Sequence, residues 1–202
     1  MSVPNSLTIF RIILTPVFLL LLFSESSLDK QLSLVVFFVA AITDWYDGWL
    51  ARKYGVTTRT GKFLDPLADK ILVLATLFGF VYLRLIDGWL VWVIVIRDVV
   101  ITSLRSYAEF KDQPIITSRS AQAKTFGEFI VIYYILIFYV AANVPMVRMH
   151  YGALIDSLIE PRVLFGMMLV IVISTVGTGI MYLIDNRKFI RDLYAGNLTA
   201  GQ

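Results

Sequence analysis

Residues 163–184 read VLFGMMLVIVISTVGTGIMYLI, a stretch without a charged side chain, and stretches of this kind decide the fold of the chain. A helix needs about 20 mostly apolar residues to cross the hydrocarbon core of a bilayer. Five earlier stretches are also mostly apolar, although each contains one to three charged residues, and short polar links join them. The sequence therefore predicts an all-α polytopic membrane protein with six transmembrane helices, at residues 7–23, 32–50, 63–83, 89–107, 121–140 and 163–184.

The composition supports a membrane location. Of the 202 residues, 58% are hydrophobic and only 16% are charged, whereas soluble domains are about 25% charged. Residues 7–23 lack an Ala-x-Ala-like cleavage site and precede further apolar stretches, so they are interpreted as a retained helix rather than a signal peptide. With no internal repeat and no composition shift, residues 1–202 are predicted to form a single membrane domain.

The distribution of basic residues predicts the orientation. Eleven of the 18 lysines and arginines lie on one side of the predicted spans, in links or near the ends of spans, and the positive-inside rule assigns this side to the cytoplasm. Because the number of predicted spans is even, both termini are expected on that side, in a multi-pass protein of the cell (inner) membrane. The longest link, residues 141–162, contains Pro145 and Pro161 and is predicted to be a loop on the opposite side.

Residue types that are rare or absent narrow the chemistry. The chain has no cysteine and a single histidine, His150. Disulfides, thiolate catalysis and cysteine-ligated zinc are excluded, and a histidine-based triad cannot be built from one chain. Acid–base and metal chemistry must therefore be done by carboxylates. Nothing in the sequence predicts a nucleic-acid partner.

Two pairs of aspartates occur at helical spacing near the cytoplasmic ends of the second and third predicted spans. Asp44 and Asp47 are three residues apart, and Asp65 and Asp69 are four apart, so each pair lies on one helix face. A short link makes the two spans antiparallel neighbours. Alone, Asp65 could be a helix-terminal cap, but four intramembrane carboxylates indicate function. They would suit two Mg²⁺ or Mn²⁺ ions, an arrangement that recurs in phosphoryl transfer.

Small residues and one arginine surround these aspartates. Gly48, Ala51 and Gly61 would let a ligand approach the backbone closely, although packing between helices is the commoner reason for a single glycine. Arg52 offers a planar fork that suits phosphate.

Together these residues form the pattern Asp44-x-x-Asp47-Gly48-x-x-Ala51-Arg52, eight residues, then Gly61-x-x-x-Asp65-x-x-x-Asp69. In every residue and spacing it resembles the signature of the CDP-alcohol phosphotransferase family. The resemblance implies transfer of a lipid phosphoryl group from a CDP-linked lipid to an alcohol, two metal ions, a homodimer, and Asp69 as both metal ligand and general base. It implies CDP-lipid contacts from Asn5, Thr8, Asp47, Gly48, Ala51, Arg52, Gly61 and Lys62.

The acceptor alcohol is predicted from two further stretches. Residues 4–11, PNSLTIFR, and 61–70, GKFLDPLADK, resemble the bacterial phosphatidylglycerophosphate synthases, whose substrates are CDP-diacylglycerol and sn-glycerol 3-phosphate. A phosphorylated acceptor needs cations to bind it. Arg97 lies deep in an apolar stretch, and Asp98 beside it is interpreted either as a partner of Arg97 or as a residue that orients it. The predicted acceptor phosphate site comprises Arg97, Arg105, Arg119 and Lys124.

Departures from that pattern leave other acceptors open. The synthases have Arg-Glu where this chain has Arg97-Asp98, and they have Gly-Leu-Arg where this chain has Ser-Leu-Arg at residues 103–105. They also have a lysine at the position of Gln122. The Arg-Asp form is similar to CDP-type cardiolipin synthases, which use phosphatidylglycerol, and an inositol phosphate is a third candidate. A divalent-cation transporter is the alternative from another class, but the aspartates cluster at one side rather than at the midplane.

Overall fold

The computed structural model describes residues 3–54, 59–110, 119–187 and 191. Within these ranges some residues are described by their helical backbone only. Their side chains lie outside the description: residues 3–9, 44–54, 59–69, 105–107, 109–110 and 119–123.

Helices account for the secondary structure of the described ranges, which contain no strand, so the predicted all-α class is confirmed. Six of the helices overlap the six predicted spans, generally with longer polar ends. In chain order the helices are α1 Val3–Phe23, α2 Ser27–Tyr54, α3 Arg59–Tyr82, α4 Gly88–Phe110, α5 Arg119–Ala142, α6 Pro145–Leu158 and α7 Pro161–Asp185.

Helix α6 corrects one prediction, because residues 141–162 were expected to be a loop. Its first residue is Pro145, and a proline in the first helical turn loses no hydrogen bond. Pro161 begins α7 in the same way. The two prolines therefore mark helix starts. The backbone of α6 leaves helical geometry at Tyr151, with φ −127° and ψ 15°, so α6 consists of two short helical segments joined at a kink.

Two segments of the described helices are long and apolar enough to cross a membrane, namely Lys124–Ala142 and Pro161–Asp185. Phe10–Phe23 and Lys70–Tyr82 are shorter apolar helical segments. Large apolar side chains are exposed along these helices, among them Leu20, Val170 and Ile173. Soluble monomers rarely expose extended apolar surface, so these helices suggest a membrane protein.

The chain forms two compact units that alternate along the sequence. The first comprises Met1–Ile86 with Val131–Leu164, and the second comprises Asp87–Ile130 with Phe165–Gln202.

In the first unit α1 packs against α2 and α3. Phe18 of α1 and Phe37 of α2 are fully buried, with ring centroids 5.2 Å apart, and Tyr133 of α5 meets Phe37 edge-on at 5.1 Å. A Cβ atom at Gly79 of α3 would lie 3.1 Å from Leu19 of α1. The missing side chain therefore allows α1 and α3 to approach closely, and the three aromatic rings join α1, α2 and α5.

Helix α3 ends in a Schellman motif. The amide of Leu85 donates to the carbonyl of Phe80, and the amide of Arg84 donates to the carbonyl of Val81, both at 2.9 Å. Arg84 has a φ of 57°, in the left-handed region that glycine usually occupies at this position. This turn stops α3 and begins the short connection to α4.

The second unit contains α4, the first half of α5 and most of α7. Leu90 and Ile94 of α4 and Met168 of α7 are buried in its apolar part. Toward the C-terminal ends of α4 and α7 and in the first turns of α5, polar residues are also buried. These residues are Asp98, Lys124, Glu128, Thr175 and Thr178. A buried polar centre between apolar helices needs internal partners, which makes this region a candidate functional site.

Candidate active site

The two aspartate pairs lie on helical backbone. Asp44 and Asp47 fall within α2, and Asp65 and Asp69 fall within α3. A helical backbone places residues three and four apart on one face, so the local geometry agrees with the predicted spacing. The four side chains lie outside the described ones, and their convergence on metal ions stays a prediction.

Other predicted site residues are also described by backbone alone. They lie on α1, α2, α3, α4 and α5, and their side chains fall outside the description: Asn5, Thr8, Gly48, Ala51, Arg52, Gly61, Lys62, Arg105 and Arg119. Among the side chains that are described, no group of three or more His, Cys, Asp or Glu could hold a metal ion. The four aspartates therefore remain the candidate donor set, and their carboxylate oxygens fit a hard divalent cation.

Two predicted acceptor residues, Arg97 and Lys124, meet at one carboxylate. Arg97 Nη1 donates to Asp98 Oδ1 at 2.9 Å, and Lys124 Nζ donates to the same oxygen at 3.2 Å. Lys124 Nζ also lies 2.9 Å from Glu128 Oε2, one turn along α5. The interpretation of Asp98 as a partner of Arg97 is thus confirmed, and Asp98 joins α4 to α5.

These charged groups are buried. The side chain of Lys124 is 2% exposed, that of Asp98 9% and that of Arg97 15%. Removing ions from water carries a penalty of several kcal/mol each, which opposite charges and hydrogen bonds must offset. Within the described residues two cations face two anions, so the charges of this group compensate each other.

Helix α7 completes this arrangement on the other side of Arg97. Arg97 Nη2 donates to Thr178 Oγ1 at 3.1 Å, while the Thr178 hydroxyl lies within donating distance of the carbonyls of Ser174 and Thr175, at 2.8 and 3.0 Å. A Cβ atom at Gly179 would lie 3.2 Å from Cγ of Arg97. We call Arg97, Asp98, Lys124, Glu128 and Thr178 the Asp98 cluster.

Glu128 and Thr178 were not predicted from the sequence. Glu128 lies four residues after Lys124, a spacing that brings opposite charges together on a helix, and that signal could have found it. Thr178 stands in the uncharged stretch 163–184, where a hydroxyl can bond to its own helix. Nothing local distinguishes it as a partner of Arg97.

Comparison with known proteins identifies the family of the chain. Residues 1–177 match the family model described as CDP-alcohol phosphatidyltransferase. The CDP-diacylglycerol–glycerol-3-phosphate 3-phosphatidyltransferase of Rickettsia typhi is 37% identical over 125 residues, which are 62% of this chain and 70% of that protein. The Bacillus subtilis protein of the same name is 33% identical over 143 residues, or 65% of this chain and 74% of the relative. The Haemophilus influenzae protein is 47% identical over 76 residues, or 38% and 41%.

The family match includes both aspartate pairs and the cluster residues of α4 and α5. Family members are generally dependent on divalent metals, in agreement with the donor set of α2 and α3. A match to enzymes favours the transferase over the transporter, and together with the apolar helices it suggests a membrane protein. The chain belongs to the CDP-alcohol phosphatidyltransferase family and is an enzyme of that class.

Proposed function

We propose that the protein transfers the phosphatidyl group of CDP-diacylglycerol to sn-glycerol 3-phosphate, producing phosphatidylglycerol phosphate and CMP. The observation that carries the proposal is the complete aspartate signature on the helical backbone of α2 and α3, in a chain whose relatives are named for this reaction. The described cations of the Asp98 cluster add support for an acceptor that bears a phosphate.

Asp44, Asp47, Asp65 and Asp69 would hold two divalent cations, Mg²⁺ or Mn²⁺. Bound there, the cations would neutralise the diphosphate of the CDP-lipid and the charge of the departing CMP. The carboxylates themselves repel one another when gathered on two adjoining helices. That repulsion makes the site selective for cations and leaves it unfavourable without them.

Asp69 would act as the general base. A hydroxyl of the acceptor attacks the phosphatidyl phosphorus, a new oxygen–phosphorus bond forms, and the bond from that phosphorus to the CMP oxygen breaks. The hydroxyl proton passes to the Asp69 carboxylate as the attack proceeds. No covalent intermediate on the protein is needed, which suits a chain without cysteine.

The remaining signature residues would bind the CDP-lipid. Arg52 and Lys62 would supply positive charge for the diphosphate. Gly48, Ala51 and Gly61 would leave room for the nucleotide next to the helix backbone. Two residues of α1 would complete the pocket, namely Asn5 and Thr8.

The acceptor phosphate would be bound by Arg97, Arg105, Arg119 and Lys124. The described pair supports this role, because Arg97 and Lys124 are already desolvated and held in place by Asp98. A cation fixed before binding loses less conformational freedom when the ligand arrives.

We propose a multi-pass location in the inner membrane, with six transmembrane helices, α1–α5 and α7, in a single membrane domain. With 14 residues, α6 is about 21 Å long, whereas a bilayer core is about 30 Å thick, so α6 is not a seventh span. An even number of spans and the basic links place both termini and the active site on the cytoplasmic side. The functional unit is proposed to be a homodimer.

The test is CMP release from CDP-diacylglycerol by the detergent-purified protein with Mg²⁺, with glycerol 3-phosphate, phosphatidylglycerol or inositol phosphate as acceptor. The expected result is release with glycerol 3-phosphate, abolished by a chelator. Release with phosphatidylglycerol alone would instead make the protein a cardiolipin synthase with the same aspartate mechanism. Release with none of the three would overturn the proposal.

A further inference from the structure

Arg97 is seated on α7 at two consecutive positions, Thr178 and Gly179. Both residues lie beyond residues 1–177, which match the family model. In the chain they lie about 80 positions from Arg97, since Arg97 and Thr178 are 81 residues apart. The contacts of Arg97 with Thr178 and Gly179 therefore depend on tertiary structure, and no local sequence motif contains them.

Three contacts fix the Arg97 side chain. Asp98 accepts from one terminal nitrogen at 2.9 Å, and Thr178 accepts from the other at 3.1 Å. The stem passes over Gly179, where an added Cβ would lie 3.2 Å from Cγ and 3.4 Å from Nε. A contact of 3.2 Å is tighter than most carbon contacts, so a side chain at position 179 would require the Arg97 stem to shift by a few tenths of an ångström.

We infer that Thr178 and Gly179 are positioning residues for acceptor binding, which hold the Arg97 guanidinium in the direction needed to contact the phosphate of glycerol 3-phosphate. The inference rests on the proposed function, because it takes Arg97 as an acceptor contact. An arginine binds phosphate through a planar fork of donors, so its affinity depends on direction as well as charge. A displaced fork keeps its charge but loses that direction.

A purely structural role for the same contacts makes a different prediction. If Thr178 and Gly179 only pack α7 against Arg97, their substitution changes protein stability and affects both substrates alike. If they position Arg97 for the acceptor, the change falls on the KM for glycerol 3-phosphate and spares the KM for CDP-diacylglycerol. The ratio of the two KM values separates these roles.

The central comparison is Gly179→Ala against Gly177→Ala. Both glycines lie on α7 two residues apart, and both substitutions raise helix propensity equally. Among the described residues, an added Cβ at Gly177 meets no atom within 4 Å apart from its own helix backbone and chain neighbours, whereas at Gly179 it meets Arg97. We expect Gly179→Ala to raise the KM for glycerol 3-phosphate roughly tenfold, as displacement of a positioning group does. Gly177→Ala should match the wild type.

A second comparison uses the Thr178 hydroxyl and does not enlarge the side chain. Thr178→Val removes the acceptor of the Arg97 hydrogen bond, and Thr178→Ser keeps it. Thr76→Val is the control, because Thr76 is fully buried and its hydroxyl donates to the carbonyl of Leu72 in its own helix at 2.7 Å. We expect a raised KM for glycerol 3-phosphate in Thr178→Val, rescue in Thr178→Ser, and no change of either KM in Thr76→Val.

The outcomes separate this inference from the proposed function. A wild-type protein without glycerol-3-phosphate-dependent CMP release overturns the proposed function and the inference with it. An active wild type in which Gly179→Ala matches Gly177→Ala and Thr178→Val matches Thr178→Ser overturns the inference alone, as does an equal rise in both KM values. If Gly179→Ala does not fold, the Thr178 comparison decides.

Discussion

The aspartate pairs of α2 and α3 and the Asp98 cluster gather charge in opposite ways. The four aspartates have one sign and lie within two helices that follow each other in the sequence, so in the proposed mechanism they would be balanced by cations from outside the chain. The Asp98 cluster combines both signs from α4 and α5 with a hydroxyl from α7, and its described charges compensate each other. Substitution of the aspartates should therefore lower turnover, whereas substitutions in the Asp98 cluster should change protein stability and the affinity for the acceptor.

The largest expected effect is that of Asp69→Asn. The amide keeps the size of the side chain but cannot take the hydroxyl proton, so turnover should fall about 10³-fold or more. Binding of CDP-lipid should change much less. CMP release and CDP-lipid binding, measured on the same detergent-purified protein, check both statements. Turnover near that of the wild type would show that Asp69 is not the general base, and it would contradict the difference proposed between the two regions.

Asp98→Ala should act mainly on stability. It removes the carboxylate that Arg97 and Lys124 share, and loss of one partner from a buried ion pair typically costs about 3–5 kcal/mol. Asp156→Ala is the matched control, because Asp156 is 58% exposed and lies 3.7 Å from Arg148, and exposed pairs contribute about 0–1 kcal/mol. Thermal unfolding in detergent is the measurement. Equal Tm values for the two variants would contradict the assignment of a buried cluster.

Arg105→Ala should have a moderate effect, confined to the acceptor. We expect the KM for glycerol 3-phosphate to rise about tenfold, the loss typical of one charge-assisted phosphate contact, and the KM for CDP-diacylglycerol to rise less. Arg162→Ala provides the control, since the side chain of Arg162 is 92% exposed and belongs to the predicted non-cytoplasmic side. Equal changes in both KM values would place Arg105 outside the acceptor site.

His150→Ala should have the smallest effect. His150 is exposed on α6, and its ring nitrogen Nδ1 lies 3.0 Å from the carbonyl of Met146 in the same helix. Because neither region draws on it, kcat and both KM values should stay within about twofold, in keeping with the small effect of exposed substitutions. A clear fall in kcat, compared at several pH values, would show that chemistry is not confined to carboxylates.

Hydropathy predicted the helices that are apolar for most of their length and missed α6. A search for about 20 consecutive apolar residues does not detect a helix of 14 residues. Pro145 was interpreted as part of a loop, although it lies in the first turn of α6, where a helix tolerates proline. The ends of α2 and α3 were also underestimated. Their polar residues, from Ser27 and from Arg59, continue the helix beyond the apolar stretch.

The parts of the candidate site that depend on local sequence could be predicted, and those that depend on the packing of distant helices could not. The helical backbone at the two aspartate pairs was predictable because helical spacing is local, whereas the convergence of their side chains stays a prediction. Asp98 and Lys124 are 26 residues apart, and Arg97 and Thr178 are 81 apart, so their contacts depend on how α4, α5 and α7 pack. Glu128 could have been found from its spacing to Lys124. Gly179 could not, because the space that it leaves is visible only once Arg97 lies above it.

The turn at Arg84 has a consequence for protein engineering. A residue with a Cβ atom in the left-handed conformation carries a strain of about 1–2 kcal/mol, and glycine would remove that strain at the expense of a more flexible unfolded chain. The entropy effect of glycine is about 0.4–1 kcal/mol, which is smaller than the strain, so Arg84→Gly should give a small net gain in stability. Because Arg84 is exposed and no proposed contact uses it, this position offers a route to a more heat-resistant enzyme with unaltered kinetics.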